Sequence, residues 1–393
     1  MNFQGVRKIL VIKLRHIGDV LLAVPVFRAL REHFGDAHIA ALVNSGTEDV
    51  LRGNPLVNEI LLFERKVKGL SPVKRYLREI QFLEEIRTRG FDMTIDLTGG
   101  DRAAILSFVS GARYRLGWRP GKGFPGKRRL YTHLSRPDTG KHMVLQNLDV
   151  VSQFGIDTGS LSVDLHIPEN DRALVRAMLL EHKIPEGDTV VHIHPTSRWL
   201  FKCWKDEYMA EVIGWLVSQG LRVVITSSRD PKEINKAKRI LSLVSDVTPS
   251  LIPTPAGDGA GGVVDLCGKT TIKQLAAVSE MSSLFFGVDS APMHIAAAVG
   301  TPVVALFGPS GAFNWGPWDN AMALSGVQSA TFKSPYSQRS GIQTFGIHTV
   351  IQREWGCIPC GSDGCEGTKV SKCLDGISPG EVMDMLREKL EKH

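Results

Sequence analysis

The sequence predicts an α/β protein of two domains, each built on an open parallel sheet, with a substrate held in the cleft between them. Three observations predict it. Short apolar, β-branched runs alternate with helical patterns along the chain, which is the βαβ signature of a parallel sheet. At 393 residues the chain is too long for one ordinary core and suits two. Each half also carries one chemically loaded junction where a strand ends and a helix begins: Lys13-Leu14-Arg15-His16-Ile17-Gly18-Asp19, and Val288-Asp289-Ser290-Ala291-Pro292-Met293-His294. In open parallel sheets such junctions bind ligands, because helix N-termini offer unpaired N–H groups and partial positive charge.

In chain order, the first half predicts strands near 7–13, 37–43, 58–63, 91–97 and 113–117, with helices near 18–34, 71–89, 102–110 and 140–155. The second predicts strands near 189–194, 221–226, 263–266, 283–288 and 302–307, with helices near 206–219, 231–244, 272–280 and 291–299. Residues 156–188 read as the crossover, with Pro168 opening a helix and Ile184-Pro185-Glu186-Gly187-Asp188 turning into the next strand. The expected division is therefore 1–167, 168–345, and a tail of 346–393 holding a cysteine-rich segment and an amphipathic helix from Pro379. The turn-forming stretch 247–262 reads as a loose surface loop, and 326–352 carries no clear periodicity.

Composition is that of a water-soluble globular chain, 43% hydrophobic and 22% charged, with no apolar run near the ~20 residues of a membrane span. The N-terminus lacks the apolar stretch and cleavage site of a signal peptide, so a cytoplasmic location is expected. Charge is uneven: residues 1–160 hold 25 Lys/Arg against 16 Asp/Glu, and residues 161–393 hold 22 against 25. Within 102–141, ten basic residues, Arg119 and Lys122 among them, meet one acid, Asp138, in a Gly- and Pro-punctuated stretch. Such a stretch attracts a polyanion, whether a phosphorylated acceptor or an anionic membrane surface. No helix-turn-helix or RNA-binding signature accompanies it, which argues against nucleic acid.

Asp19 starts a helix, where an acid commonly caps; its company of Lys13, Arg15 and His16 makes it also a candidate general base beside an anionic substrate. In the second half His194-Pro195-Thr196-Ser197 ends a strand and is followed by Arg198, Lys202 and Lys205, a set suited to cradling a diphosphate. His192 and His194 share a strand face without an adjacent third ligand, so metal binding there is not expected. Asp230 follows the next strand, where an acid meets a ribose hydroxyl or caps the helix from Pro231. Asp289, Ser290, Ala291 and His294 form a small-residue helix start that admits phosphate and sugar hydroxyls; capping by Asp289 or Ser290 is the plainer reading. The chain has no Asp-x-Asp dyad and no Gly-x-Gly-x-x-Gly after its first strand, so neither a metal-held nucleotide nor a dinucleotide is indicated. Cys203 and Cys267 read as buried thiols. Cys357, Cys360, Cys365 and Cys373 cluster with spacing that leaves structural zinc, an iron–sulfur centre or unligated thiols open, zinc or empty thiols being the expectation.

These residues resemble a known family. Ile9-Leu10-Val11-Ile12-Lys13 with Gly18-Asp19-Val20, His194-Pro195 with Lys202-Cys203-Trp204, and Asp289 through His294 to Phe307-Gly308-Pro309 are similar to the heptosyltransferases of glycosyltransferase family 9. His348 to Trp355 leading into Cys357-Ile358-Pro359-Cys360 resembles its lipopolysaccharide heptosyltransferase III group. The resemblance implies a GT-B fold, acceptor on the N-terminal domain and nucleotide sugar on the C-terminal one. It also implies ADP-L-glycero-D-manno-heptose as donor, a lipid A-core acceptor, inversion at the anomeric carbon and no cofactor for catalysis. On this resemblance Asp19 matches the base, Lys202 the phosphate-binding lysine, Asp289 and His294 the sugar and phosphate contacts, and Asp230 a ribose-binding acid. A nucleotide-sugar epimerase of the same fold, a transferase with another donor or acceptor, and a non-catalytic binding module are the alternatives.

Overall fold

The computed structural model describes residues 3–64, 71–247, 262–324 and 332–392. Its chain divides into two compact units: residues 1–166 with 323–333, and residues 167–322 with 334–393.

The first unit alternates β1 (Lys8–Lys13), α1 (Ile17–Leu21), α2 (Val24–Phe34), β2 (His38–Asn44), β3 (Glu59–Phe63), α3 (Pro72–Thr88), β4 (Met93–Asp96), α4 (Asp101–Val109), β5 (Tyr114–Trp118), β6 (His133–Ser135) and α5 (Met143–Ser152). Among the described residues its sheet runs β3-β2-β1-β4-β5-β6, every neighbour parallel. That order reverses between β1 and β4, the position at which open parallel sheets bind their ligands. The strands are buried on both faces, which is why they read as continuous apolar runs. The helix expected over 18–34 is broken at Leu22–Ala23, because Pro25 in the first turn of α2 has no N–H to carry the ladder through. Leu10, Ile12, Leu42, Leu61, Ile86 and Phe91 form one layer of the core.

The second unit begins with α6 (Glu169–Glu181), for which Pro168 is the N-cap, and repeats the plan: β7 (Val190–His194), α7 (Asp206–Ser218), β8 (Arg222–Ile225), α8 (Pro231–Val247), β9 (Val263–Asp265), α9 (Ile272–Glu280), β10 (Leu284–Val288), α10 (Ala291–Ala298) and β11 (Val303–Phe307). Short helices α11 (Ala312–Trp315) and α12 (Asn320–Leu324) precede the hairpin strands β12 (Gln343–Phe345) and β13 (His348–Gln352), then α13 (Lys372–Asp375) and α14 (Pro379–Glu391). Its sheet runs β12-β13-β11-β10-β7-β8-β9, parallel except for β12. The switch point falls between β7 and β10.

The tail set apart at 346–393 is built into this second unit. β13 pairs with β11, Leu374, Ile377, Val382 and Leu386 enter the core, and Trp204 Nε1 donates to Ile377 O at 3.2 Å. Residues 323–333 go instead with the first unit, where Lys333 O accepts from His142 N. Of the loop expected at 247–262, residues 248–261 lie outside the described residues.

Candidate functional site

Each unit brings its marked residues to the switch point of its own sheet. In the first, β1 delivers the chain to α1, and Asp19 sits half-buried in the first turn, where Oδ2 accepts from His16 N at 3.3 Å. The capping role is therefore real, and it engages one carboxylate oxygen. The backbone around it is held by β4's end: Thr98 Oγ1 accepts from Leu14 N at 2.8 Å, and Arg15 donates to Thr98 O at 3.0 Å. Arg15 is otherwise exposed and His16 half-buried.

Lys13 is placed differently from the expectation that it binds acceptor. Its side chain is buried, and Nζ donates to Leu97 O at 3.0 Å and Asn147 Oδ1 at 2.8 Å, 5.8 Å from the Trp118 ring centroid. Two of the three ammonium donors are engaged inside the fold, and the buried Lys13 supports the loop that follows β4. Burial lowers its pKa to about 8, outweighing the attraction of Asp19 and Asp96. Asp96, which the sequence reading passed over, organises the same loop: Oδ1 accepts from Thr98 N and Gly99 N, and Oδ2 from Tyr131 Oη at 2.6 Å. Burial raises the Asp96 pKa, against those hydrogen bonds. The signal was available in Asp96-Leu97-Thr98-Gly99-Gly100, an acid closing a strand before paired glycines; Gly99 takes φ 70°, which only glycine adopts at little cost.

Arg119 and Lys122 are exposed on the cationic stretch, whose residues 120–129 curl around a depression of about 720 Å³. Lys127 is tied down, donating to Gly99 O at 2.8 Å and pairing with Asp101 at 2.9 Å. The basic loop is thereby fastened to the turn after β4.

In the second unit, Lys202 Nζ reaches Asp289 Oδ2 at 2.7 Å, joining the segment after β7 to the head of α10. The sequence separation is 87 residues, so only the sheet order reveals the pair. Ser290 is the N-cap, yet its hydroxyl makes no capping bond and its buried Oγ has no hydrogen-bond partner among the described residues. Ala291 follows as the first helical residue, and His294 is buried one turn further on.

Beneath them runs a chain of buried hydrogen bonds. Ser279 Oγ meets His192 Nδ1 at 2.8 Å, His192 Nε2 meets Thr226 Oγ1 at 2.7 Å, and the same hydroxyl meets His194 Nδ1 at 2.8 Å. His194 Nε2 then lies 3.4 Å from Thr196 Oγ1, which donates to Glu233 Oε2 at 2.8 Å, while Ser228 Oγ donates to Oε1 at 2.6 Å. Burial holds His194 near a pKa of about 3 and His192 well below its ordinary value, so both rings are neutral. Ser197 is buried beside this chain in sequence, its N–H donating to Cys203 Sγ at 3.2 Å.

Asp230 shows the capping alternative of its two readings. It is exposed and accepts from Lys232 N at 2.8 Å, an ordinary helix cap, whereas the buried carboxylate facing Thr196 is Glu233. Glu233 stands in the first turn of α8, and nothing in its local sequence sets it apart.

Of the two expectations for the tail cysteines, zinc or empty thiols, zinc is not supported. Cys357 and Cys360 are exposed, Cys365 half-buried and Cys373 buried on α13, and no group of three or more His, Cys, Asp or Glu side chains converges to hold an ion among the described residues. Cys203 and Cys267 are buried thiols, and burial pushes Cys203 up to about 11.

Comparisons with known proteins agree with this architecture. The family described as Glycosyltransferase family 9 (heptosyltransferase) matches residues 80–339. Lipopolysaccharide heptosyltransferase 3 of Escherichia coli is 32% identical over 320 residues, covering 79% of this chain and 86% of its own. A glycosyl transferase family 9 crystal structure from Veillonella parvula superposes with TM-score 0.74 at 22% identity, over 100% of this chain and 99% of that one. E. coli heptosyltransferase WaaC with ADP-2-deoxy-2-fluoro heptose gives TM-score 0.62 at 18% identity, over 97% and 99%. At these identities the structures speak for the fold, which is the two-sheet GT-B arrangement.

Proposed function

The chain belongs to glycosyltransferase family 9, and on that premise we propose that it transfers heptose from ADP-L-glycero-D-manno-heptose to the inner core of lipopolysaccharide. Support for the acceptor class comes from the 32% identical lipopolysaccharide heptosyltransferase 3, and for the donor from the WaaC complex with an ADP-heptose analogue. The observation that carries the reading is the Lys202–Asp289 pair at the switch point of the second unit. It fixes a cation beside a helix start whose Ser290 hydroxyl is unengaged, an arrangement suited to a diphosphate leaving group.

The second unit takes the nucleotide sugar, through Thr196, Ser197, Lys202, Asp289, Ser290, Ala291 and His294, with Glu233 in the place first given to Asp230. The first unit takes the acceptor, through Arg15, His16, Arg119 and Lys122, with Lys13 holding the floor of that site. Asp19 removes the proton from the acceptor hydroxyl as its oxygen attacks the anomeric carbon; the bond to the diphosphate breaks in the same displacement, which inverts that carbon. Lys202 and the head of α10 stabilise the charge gathering on ADP without a metal ion. Because the acceptor is lipid-anchored, contact with the anionic inner-membrane surface belongs to the same reading. Among the described residues, no helix is long and apolar enough to cross a membrane.

The test is ADP release from ADP-heptose, with and without heptose-truncated lipopolysaccharide, for the native chain and for Asp19→Asn. Acceptor-dependent release that drops by about 10²–10⁴ in the variant is expected for a general base. Product release from donor alone would move the chain to epimerase-type chemistry, and near-native turnover of Asp19→Asn would leave that residue as a cap.

A further inference from the structure

The buried hydrogen-bond chain of the second unit has a direction, because each hydroxyl in it carries one proton and each neutral imidazole one N–H. Thr196 and Ser228 both donate to the Glu233 carboxylate, to Oε2 at 2.8 Å and to Oε1 at 2.6 Å. The Thr196 proton is thereby committed, so His194 Nε2, 3.4 Å from the same oxygen, meets it as a donor. Burial keeps both rings of the chain neutral. A neutral ring with its proton on Nε2 has a bare Nδ1, and His194 Nδ1 accepts from the Thr226 hydroxyl at 2.8 Å. The Thr226 oxygen then accepts from His192 Nε2 at 2.7 Å, and His192 Nδ1 accepts from Ser279 Oγ at 2.8 Å. The reverse setting would turn the Nε2 lone pair of His194 against the Thr196 oxygen and lose that bond. One setting alone satisfies every contact.

A core serving only the fold has little use for this chain. Ser279, His192, Thr226 and Thr196 are completely buried, and apolar groups of the same shape would fill their places at no loss of stability. The other face of β7 does so, with Val191 and Ile193 in the apolar core. The chain also leads somewhere: it ends at Thr196, Ser228 and Glu233, beyond the carboxyl ends of β7 and β8, where open parallel sheets bind ligands. We propose that Ser279, His192, Thr226 and His194 are positioning residues for the nucleotide sugar, a one-way chain that fixes Thr196 and Glu233 with every proton directed toward the carboxylate. The consequence is a division of polarity within the donor site. Glu233 offers only acceptors, which suit a ribose hydroxyl, while Lys202 and the head of α10 offer only donors, which suit the diphosphate. Thr196 serves the donor by holding Glu233, having no hydroxyl proton left for phosphate. The proposal deepens the donor-site reading and rests on it for its ligand, though the proton positions are measurable with no ligand bound.

The experiment reads the protons first. In the full chain, isotope-labelled at the histidine nitrogens, two-bond nitrogen–proton spectra are expected to show His192 and His194 as Nε2–H tautomers. The signals lost in His192→Gln and His194→Gln assign them. A proton on Nδ1 of either ring overturns the proposal. Thr226→Val, which keeps the shape and removes the hydroxyl, is expected to weaken ADP and raise the KM for ADP-heptose by about tenfold, as when a buried group loses its partner. The acceptor KM should stay as it is, and Thr226→Ser should restore native values, a rescue that packing alone would not give. Ser279→Ala, at the far end, should raise the donor KM by about threefold, near the lower worth of a neutral hydrogen bond. Melting temperatures verify that the variants fold; if Thr226→Val does not, the tautomers and Ser279→Ala decide. An unchanged donor KM in Thr226→Val or Ser279→Ala overturns the chain, as do equal losses in Thr226→Val and Thr226→Ser. The expected tautomers and ADP affinities without heptosyl transfer would overturn the functional reading and leave the positioning chain standing.

Discussion

The two units share the order of their first five strands and treat charge at their switch points in opposite ways. In the first, the cation nearest the strand end, Lys13, is buried and committed to Leu97 and Asn147, while the carboxylate Asp19 stays half-open with one oxygen free of the cap. In the second, the cation Lys202 remains partly exposed, paired to a buried carboxylate, and the layer beneath is a neutral chain of hydroxyls and imidazoles ending at Glu233. On the proposed function, the half-open carboxylate moves the proton and the paired cation exchanges its partner for phosphate. The same scaffold thus hosts two chemistries, set by which charge is kept inside.

The largest effects should separate the units by kinetic parameter. Asp19→Asn is expected to lower kcat by about 10²–10⁴ with ADP affinity unchanged, measured by calorimetric titration of ADP alongside turnover. If ADP affinity fell with it, the division of labour between the units would be broken. Lys202→Met is expected to do the reverse, weakening ADP by roughly 10–100-fold, the worth of a charge-assisted hydrogen bond. Unchanged ADP affinity in that variant would remove Lys202 from the donor site.

Stability against pH should sharpen the contrast. In the first unit, Lys13 titrates near 8 when folded and 10.5 when unfolded, so between those values the unfolded chain binds more protons and stability rises with pH. The rise is on the order of 3 kcal/mol, and Lys13→Met should flatten it in denaturant titrations across that range. In the second unit, His194 titrates near 3 when folded against 6.5 unfolded, so its stabilising contribution is complete above 6.5 and is lost on acidification toward 3. His194→Gln, which keeps a polar group near Thr196, should make that acid limb shallower. An unaltered limb would show that His194 is not neutral in the fold.

The smallest expected difference lies within one helix. Asp230→Ala should cost about 1 kcal/mol of stability as a lost cap and leave donor KM alone. Glu233→Gln should raise donor KM. A donor KM that responded to Asp230 and ignored Glu233 would restore the assignment made from sequence.

The two Rossmann-like plans were legible because buried parallel strands read as unbroken apolar runs; β7 was expected at 189–194 and is found at Val190–His194. The strands β12 and β13 were not, since Gln343-Thr344-Phe345 and His348-Thr349-Val350-Ile351-Gln352 mix polar residues into a sheet edge whose periodicity is short. Asp19, Lys202 and Asp289 were marked from their place at or just after strand ends. Glu233, Thr226 and Asn147 were missed, because nothing local distinguishes a carboxylate on a helix, a threonine closing a strand or an asparagine on α5 until the partner arrives from far along the chain.

By itself the sequence determined which segments become strands and helices, where each sheet ends, and hence which residues stand at the two switch points, since periodicity and turn chemistry act over a few residues. Tertiary structure alone decided what those residues do there. Lys13 and Arg15 lie two apart in sequence, yet one is buried and the other exposed. Lys202 finds Asp289 across 87 residues, and among the described residues the tail cysteines, close in sequence, form no group of three or more that could hold a metal ion. Burial and pairing depend on which strands become neighbours, and long-range packing, beyond any local pattern, sets whether a charge is held, shared or left open to substrate.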